Sequence, residues 1–534
     1  LIANFSKLKI SSVFLTLLIS APALIIFLYL FVGTGENWEH LKETLLFEYI
    51  FNSLYIMFGV AILTAIIGFT TAYITSLYTF TGSRFFHYAL ILPFAIPTYI
   101  MAFIYGGMFD ITGSVTTFIL DVLDKKLDEV IFFDIMSIEG AIIIMSLVLY
   151  PYVYLICKTY LSFESSSIID ASKTFNLTNW EILRKVILPI SRPAIVAGVT
   201  LAVMEAVADF GVMDYFGVST FVTGIFRAWF GMGSVEDAAK LASILMTFVF
   251  LIIMLERLQR RNKVYKSSGK DFKPIDKIKL TGFKNILAVF ACFIPFFFGF
   301  LLPFIQLCFW FAISYEEIID EDFMTLIYQT LLLATAAAFI ITTLALLFVY
   351  NVRVNQDKSS SILTQITKLG YSIPGAVVAV GILSFFAILD KYIFDVFSST
   401  YIISGTILAI LFGYIVRFLA IAINNFESGF ARIPTTYDDA AKTFGIAQNK
   451  TFLKIFIPLL KNSAFAAFIV IFIEVIKELP LTMILRPFNY DTLAVRALEL
   501  TQQAQIIESS VPSMFIIVIG IISVILLAKN MNKA

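Results

Sequence analysis

Two pairs of carboxylates stand where the sequence is otherwise apolar. Glu205 and Asp209 fall in the run 192–214, and Glu474 and Glu478 fall in the run 463–485. An ionisable group inside a membrane span costs from about 2.5 kcal/mol upward, so such groups face a bundle interior or a watery cavity. Each pair is spaced by four residues, which places both members on one face of a continuous helix. Four facing carboxylates would offer hard oxygen ligands to a passing cation, transiently and without a stable metal site. The alternative role is structural. Arg417 and Lys477 also lie in apolar runs and can neutralise these acids, bracing the bundle instead of lining a path.

The elements that must position these groups follow from composition. Of the 534 residues 59% are hydrophobic and only 14% charged, with mean hydropathy +0.91. A soluble domain carries roughly 25% charged residues, so most of this surface does not face water. Apolar runs fall at about 12–32, 51–78, 85–108, 138–160, 192–214 and 238–256. A second set falls at about 285–312, 325–350, 367–389, 401–424, 463–485 and 509–528. Runs near 20 residues match the length a helix needs to cross a ~30 Å hydrocarbon core, and they are too long for barrel strands. The fold class is all-α: a polytopic membrane protein with about 12 spans. The first run lacks an obvious cleavage site and reads as a retained helix, not a signal peptide.

Several functions drop out. The 38 basic and 38 acidic residues balance, which argues against a nucleic-acid partner. Cys157, Cys292 and Cys308 offer neither a disulfide framework nor metal spacing, and His40 and His87 are far apart. There is no GxxxxGK[ST] phosphate loop, so ATP chemistry, if used, belongs to another chain. Lys and Arg concentrate in alternate loops, which places both termini in the cytoplasm by the positive-inside rule. On that orientation Asp209 and Glu478 are nearer the outer end and would meet cargo first. Arg227 and Arg496 fall in external loops. The stretch 256–284 holds ten basic and three acidic residues around Ser267-Ser268-Gly269. It reads as a basic cytoplasmic linker between a first transmembrane domain, 1–255, and a second, 285–534, and its charge also suits anionic headgroups.

Self-comparison is more informative still. Asp170-Ala171-Ser172-Lys173-Thr174-Phe175-Asn176 matches Asp439-Ala440-Ala441-Lys442-Thr443-Phe444-Gly445 at an offset of 269. The same offset pairs Pro189 with Pro458, Glu205 with Glu474, Asp209 with Glu478, and Arg227 with Arg496. Upstream, an offset of 277 pairs Asn52-Ser53-Leu54 with Gln329-Thr330-Leu331 and Ile96-Pro97 with Ile373-Pro374. One six-span fold is used twice. An even number of spans per half makes the repeats parallel, with a pathway expected between them.

The duplicated polar loop resembles the EAA motif of ABC importer permeases: E-A-A, three residues, G, then I-x-L-P. The second copy keeps Asp439-Ala440-Ala441, Gly445 and Ile457-Pro458; the first departs at Ser172 and Asn176 but keeps Leu188-Pro189. The resemblance implies a type I, MetI-like importer fold, and a short coupling helix in each loop that docks in a groove of an ATPase subunit. Small residues would permit close docking, and Gly445 or Asn176 can take the left-handed turn between two short helices.

Further strings narrow the likeness. Ala208-Asp209-Phe210-Gly211, Asp214-Tyr215-Phe216-Gly217-Val218 and Lys477-Glu478-Leu479-Pro480 are similar to the fused permeases of ferric-iron importers. That resemblance covers nearly the whole chain. It implies a chain that is not itself an enzyme and binds no cofactor, with ATP and Mg held by two copies of a partner ATPase. It further implies a bacterial inner-membrane location and a periplasmic or extracellular ferric-iron-binding protein, docked near Arg227 and Arg496. Ferric iron would pass Glu205, Asp209, Glu474 and Glu478. Thiamine and phosphonate importers share the fused plan and remain alternatives, as does a six-plus-six secondary transporter, which would not need the duplicated loop.

Overall fold

The computed structural model describes residues 2–32, 35–130, 132–174, 178–261, 277–397 and 403–531. Among them, ten helices are long and apolar enough to cross a membrane. An eleventh crossing is a pair, Gln448–Leu459 and Lys461–Ile476, bent by 70°, and Ser510–Leu526 is a shorter apolar helix. We number the principal helices α1 (Ile2–Leu28), α2 (Leu46–Leu77), α3 (Thr98–Phe109), α4 (Ile138–Thr174), α5 (Leu188–Ala208) and α6 (Val235–Arg261). In the second half they are α7 (Gly282–Ile318), α8 (Glu321–Asn355), α9 (Gly375–Phe397) and α10 (Ile407–Ala431). They continue as α11 (Thr436–Thr443), α12 (Lys461–Ile476), α13 (Leu493–Gln502) and α14 (Ser510–Met531).

In lipid there is no hydrophobic drive between apolar helices, so small residues that allow close approach decide which faces meet. Along α2 the buried positions include Ser53, Val60, Thr64, Gly68 and Thr71, while Phe47, Phe51, Phe58 and Ile66 are exposed towards lipid. Gly68 lies against Val153 and the Tyr150 carbonyl of α4, with no room for a β-carbon. The Thr64, Thr71 and Thr75 hydroxyls return hydrogen bonds to carbonyls of their own helix. In α8 the buried positions Thr330, Ala337, Ile341, Ala345 and Phe348 fall at the 277-residue offset from those of α2. The repeat extends to irregularities. A π-helical turn at Leu183–Ile187 precedes α5, and another at Phe452–Phe456 stands 269 residues on.

Each half lends its first helix to the other. α1 packs along α9, where Gly381 abuts the Pro22 carbonyl, and Lys9 pairs with Asp357 beyond the end of α8. Lys9, the Ser359 hydroxyl and the Ser360 backbone N–H hold the Asp357 carboxyl below the usual carboxylate range. Reciprocally, α7 leans on α3 and its extension: the Tyr105 hydroxyl donates to the Phe298 carbonyl at 2.6 Å, and Ser114 donates to Gln306 at 2.8 Å. A two-residue parallel ladder, β1 (Tyr78–Thr79) with β2 (Ile278–Lys279), ties the segment before α7 to the end of α2.

Four expected spans come out broken, the run 367–389 among them, where a 3-10 turn Lys368–Ser372 and Pro374 precede α9. Pro93 and Pro97 interrupt the run 85–108, leaving a helix Ser83–Ala89, a 3-10 turn Leu92–Ala95 and then α3. The run 192–214 ends as helix at Ala208, and Asp209 is extended (φ −76°, ψ 120°) before a short helix Gly211–Tyr215. The run 463–485 ends at Ile476, before the helix Pro480–Leu485. Proline lacks an N–H and disfavours helix at the residue before it, so α12 cannot run through Leu479-Pro480. The expectation that each acid pair shares one continuous helical face is therefore corrected. Glu205 and Glu474 are helical; Asp209 and Glu478 sit in the breaks.

Candidate functional site

The breaks let the four carboxylates converge. A cavity of about 90 Å³ is lined by Glu205, Asp209, Glu474 and Glu478 together with Arg417 and Lys477. By the usual measure of cavity volume this has room for several water molecules. Its walls come from both halves: Pro97 and Thr98 at the start of α3, Tyr152 of α4, the ends of α5 and α12, and Arg417 of α10. A smaller cleft beside it is bounded by Tyr371, Ile373 and Pro374, with Glu205 and Arg417 bordering both spaces. The repeated Ile-Pro pairs, Ile96-Pro97 and Ile373-Pro374, thus flank the acids from opposite sides.

Each carboxylate has a defined partner. Glu478 Oε1 accepts from Arg417 Nη1 at 2.8 Å and from the Leu481 backbone N–H at 3.0 Å. Asp209 makes the matching backbone bond, accepting from the Val212 N–H at 2.9 Å, and accepts a second bond from the Thr98 hydroxyl. Glu474 pairs with Lys477 at 2.8 Å, and Glu205 accepts from the Tyr371 hydroxyl at 3.2 Å. The ammonium of Lys477 stands 4.4 Å from the centre of the Phe94 ring. The buried Tyr99 hydroxyl, also on the wall, has no hydrogen-bond partner among the described residues.

The two halves differ along the cavity wall. Thr98 and Gly375 are equivalent, each the first residue of its helix, and Val148 and Arg417 are equivalent on α4 and α10. In the first half a threonine hydroxyl satisfies Asp209. In the second, a glycine leaves space that the Arg417 guanidinium fills to reach Glu478. A β-carbon on Gly375 would collide with Arg417 Nη1 and lie 2.8 Å from Glu478 Oε1. Gly375→Ala is expected to displace this ion pair and lower stability by about 1–3 kcal/mol, the usual range for overpacking. Denaturant titration of the purified chain in mixed micelles reads it out.

The second loop is fully described. Asp439, Ala440 and Lys442 are exposed on α11, while Ala441 is buried. Gly445 holds φ +63°, the left-handed turn expected there, and Pro458 lies in the short helix Ile457–Leu459. Arg353 at the end of α8 anchors α11, meeting Asp438 at 2.7 Å and the Ile433 and Pro434 carbonyls. The apolar side chains of Phe444 and Leu453 project outward, 80% and 61% exposed. In the first loop the backbone of 170–173 continues α4, and Pro189 opens α5. Asn176 lies outside the described residues, as do the side chains of Asp170, Ala171, Ser172 and Lys173.

At the opposite end of the bundle, Arg227 is exposed and donates to the Ser219 hydroxyl at 3.2 Å. Arg496 is half-buried, 3.8 Å from Glu499, on a bowl of about 680 Å³ that also exposes Glu317, Asp320, Asp322 and Asp491. The two arginines therefore stand in different surroundings despite their equivalent positions. Thr98, Tyr371 and Gly375 were not singled out by sequence reasoning. Their signal was the residue after each repeated Ile-Pro and the tyrosine two residues before the second. Among the described residues no three of His, Cys, Asp and Glu are placed to hold a metal ion.

A twofold-repeated, all-helical membrane bundle with a polar cavity between its halves is the architecture of a transport permease. Residues 66–262 and 353–534, well over half of the chain, match the binding-protein-dependent transport system inner membrane component family, and the chain belongs to it. It is thus a multi-pass permease of a binding-protein-dependent ABC transport system, of the type I, MetI-like class. It is 23% identical over 528 residues to the Fe(3+)-transport system permease protein FbpB 2 of Haemophilus influenzae, covering 97% of this chain and 98% of that one. It is 22% identical over 477 residues to the ferric transport system permease protein FbpB of Actinobacillus pleuropneumoniae, covering 85% and 67%. The sulfate transport system permease protein CysT of Escherichia coli is 26% identical over 158 residues, 30% of this chain and 54% of that one.

Proposed function

We propose that this permease translocates ferric iron, handed to its outer face by a substrate-binding protein, into a cytoplasm that contains both chain termini. The observation that carries the reading is the charge of the cavity. Four carboxylates meet two cations, and each cation is already committed to a carboxylate. The excess negative charge favours a cation over an oxyanion, because unlike charges in a partly dry cavity attract far more strongly than in water. Near-full-length likeness to ferric permeases points the same way. Glu205 and Asp209, which lean only on hydroxyls and a backbone N–H, are the groups free to exchange those bonds for cargo. Iron is cargo here, in transit, and the chain holds no cofactor of its own; ATP and Mg belong to the partner.

Two ATPase subunits would dock on the repeated loops, and closure of that pair would rock the halves about the cavity. The exposed Phe444 and Leu453 beside Ala440 give the second loop an apolar contact surface. Arg227 and Arg496 would meet the binding protein. The test is ATP-dependent uptake of radiolabelled ferric iron in vesicles holding the chain, its ATPase and its binding protein. Ala440→Arg with Ala171→Arg is expected to abolish uptake while leaving insertion unchanged. Uptake unaffected by both arginines would contradict docking at the loops, and no uptake by the intact system would remove iron as cargo.

A further inference from the structure

We infer that the chain carries a binding site for an anionic phospholipid at the end of the bundle that bears the repeated loops, where α4, the helix Ser83–Ala89 and the β2 segment meet. Lys158 is half-buried midway along α4. Among the described residues its ammonium contacts neutral groups: the Tyr154 hydroxyl at 2.5 Å and Nδ1 of His87. Lys277, just before β2, reaches the same neighbourhood and donates to the Thr75 carbonyl at 2.8 Å. The ladder between β1 and β2 fixes Lys279 alongside, and Arg84 stands on the helix that carries His87.

Among the described residues no acid pairs with Lys158 or Lys277. The converging segments 75–90, 154–162 and 277–294 contain no Asp or Glu. Two other half-buried lysines do meet acids, Lys477 with Glu474 and Lys368 with Glu427, while Lys240 is met by the Tyr29 and Leu30 carbonyls. A half-buried ammonium without a counter-charge is costly, and an anion supplied from outside would relieve it. The flanks say which anion. Phe85, Tyr88, Phe283, Leu287 and Phe290 are large, apolar and exposed on the same edge, and Phe85 packs edge-on to Phe296 of α7. A phosphate-bearing headgroup on Lys158 and Lys277 would lay its acyl chains along this surface. Basic pockets between helices at this depth suit anionic headgroups. A bound lipid would also stitch the start of the second half to the end of α2.

The test uses the full chain purified in detergent and titrated with phosphatidylglycerol or phosphatidylcholine, with bound lipid counted by native mass spectrometry. Phosphatidylglycerol is expected to be retained where phosphatidylcholine is not. Lys158→Gln with Lys277→Gln should weaken retention about 25-fold, at roughly fivefold per lysine removed. Lys158→Arg should keep it. Lys358→Gln with Lys461→Gln, which removes two exposed lysines elsewhere on this end, should leave it unchanged and controls for net charge. Equal retention of the two lipids, or of phosphatidylglycerol by the double variant, would overturn the proposal. Displacement of phosphatidylglycerol by excess inorganic phosphate would overturn the lipid and leave a free-phosphate site.

Discussion

Replacing Arg417 by methionine is expected to lower the stability of the purified chain by about 3–5 kcal/mol, the cost of breaking a buried ion pair from one side. Arg417 and Glu478 are both buried, at 8% and 5% exposure, and their charged atoms meet at 2.8 Å. Methionine fills similar volume but leaves Glu478 as an unpaired anion among Tyr414, Leu481 and the start of α9. The double change Arg417→Met with Glu478→Gln should recover most of the loss, because the amide oxygen can still accept from the Leu481 N–H. Denaturant titration in mixed micelles of the wild type, the two single variants and the double variant gives the coupling directly. A single variant within about 1 kcal/mol of wild type would show that the pair does not brace the bundle.

The second large effect concerns transport and not stability. Glu205→Gln with Asp209→Asn keeps hydrogen-bonding groups for Tyr371, Thr98 and Val212 while removing the two cavity carboxylates that form no ion pair among the described residues. A unit charge about 4 Å away contributes roughly 4 kcal/mol at an effective dielectric near 20. Since each 1.4 kcal/mol is tenfold, uptake of a cation should fall by at least about 100-fold even after generous screening. Folding should be nearly unchanged, which separates this variant from Arg417→Met. An uptake rate within a fewfold of wild type would assign the acids to bracing alone.

Much of this arrangement was legible because the sequence writes it twice. The offsets 269 and 277 aligned Glu205 with Glu474 and Ile96-Pro97 with Ile373-Pro374, and the structure brings all of these residues to one interface. What stayed hidden has physical causes. The breaks after Ala208 and Ile476 lie inside runs that are long and apolar enough overall to read as single spans. Pro480 marked one of them, but the bond from Val212 to Asp209 that supports the other is tertiary in its consequences and silent in composition. The exchange of first helices between halves was invisible for a different reason: a face that meets lipid and a face that meets α9 are equally apolar. Only a close approach such as Gly381 against Pro22 distinguishes them. The Thr98–Gly375 asymmetry could be found only by asking where the repeat fails, since the failure is what admits Arg417.

The most direct measurement compares cargoes in one preparation. Vesicles holding the complete transport system would be given radiolabelled ferric iron or radiolabelled sulfate, with ATP inside, using the wild-type chain and the Glu205→Gln, Asp209→Asn variant. The account predicts ATP-dependent iron uptake by the wild type, its near-complete loss in the variant, and no sulfate uptake by either. Sulfate uptake by the wild type, sustained or raised when the two carboxylates are neutralised, would contradict a cation path through this cavity.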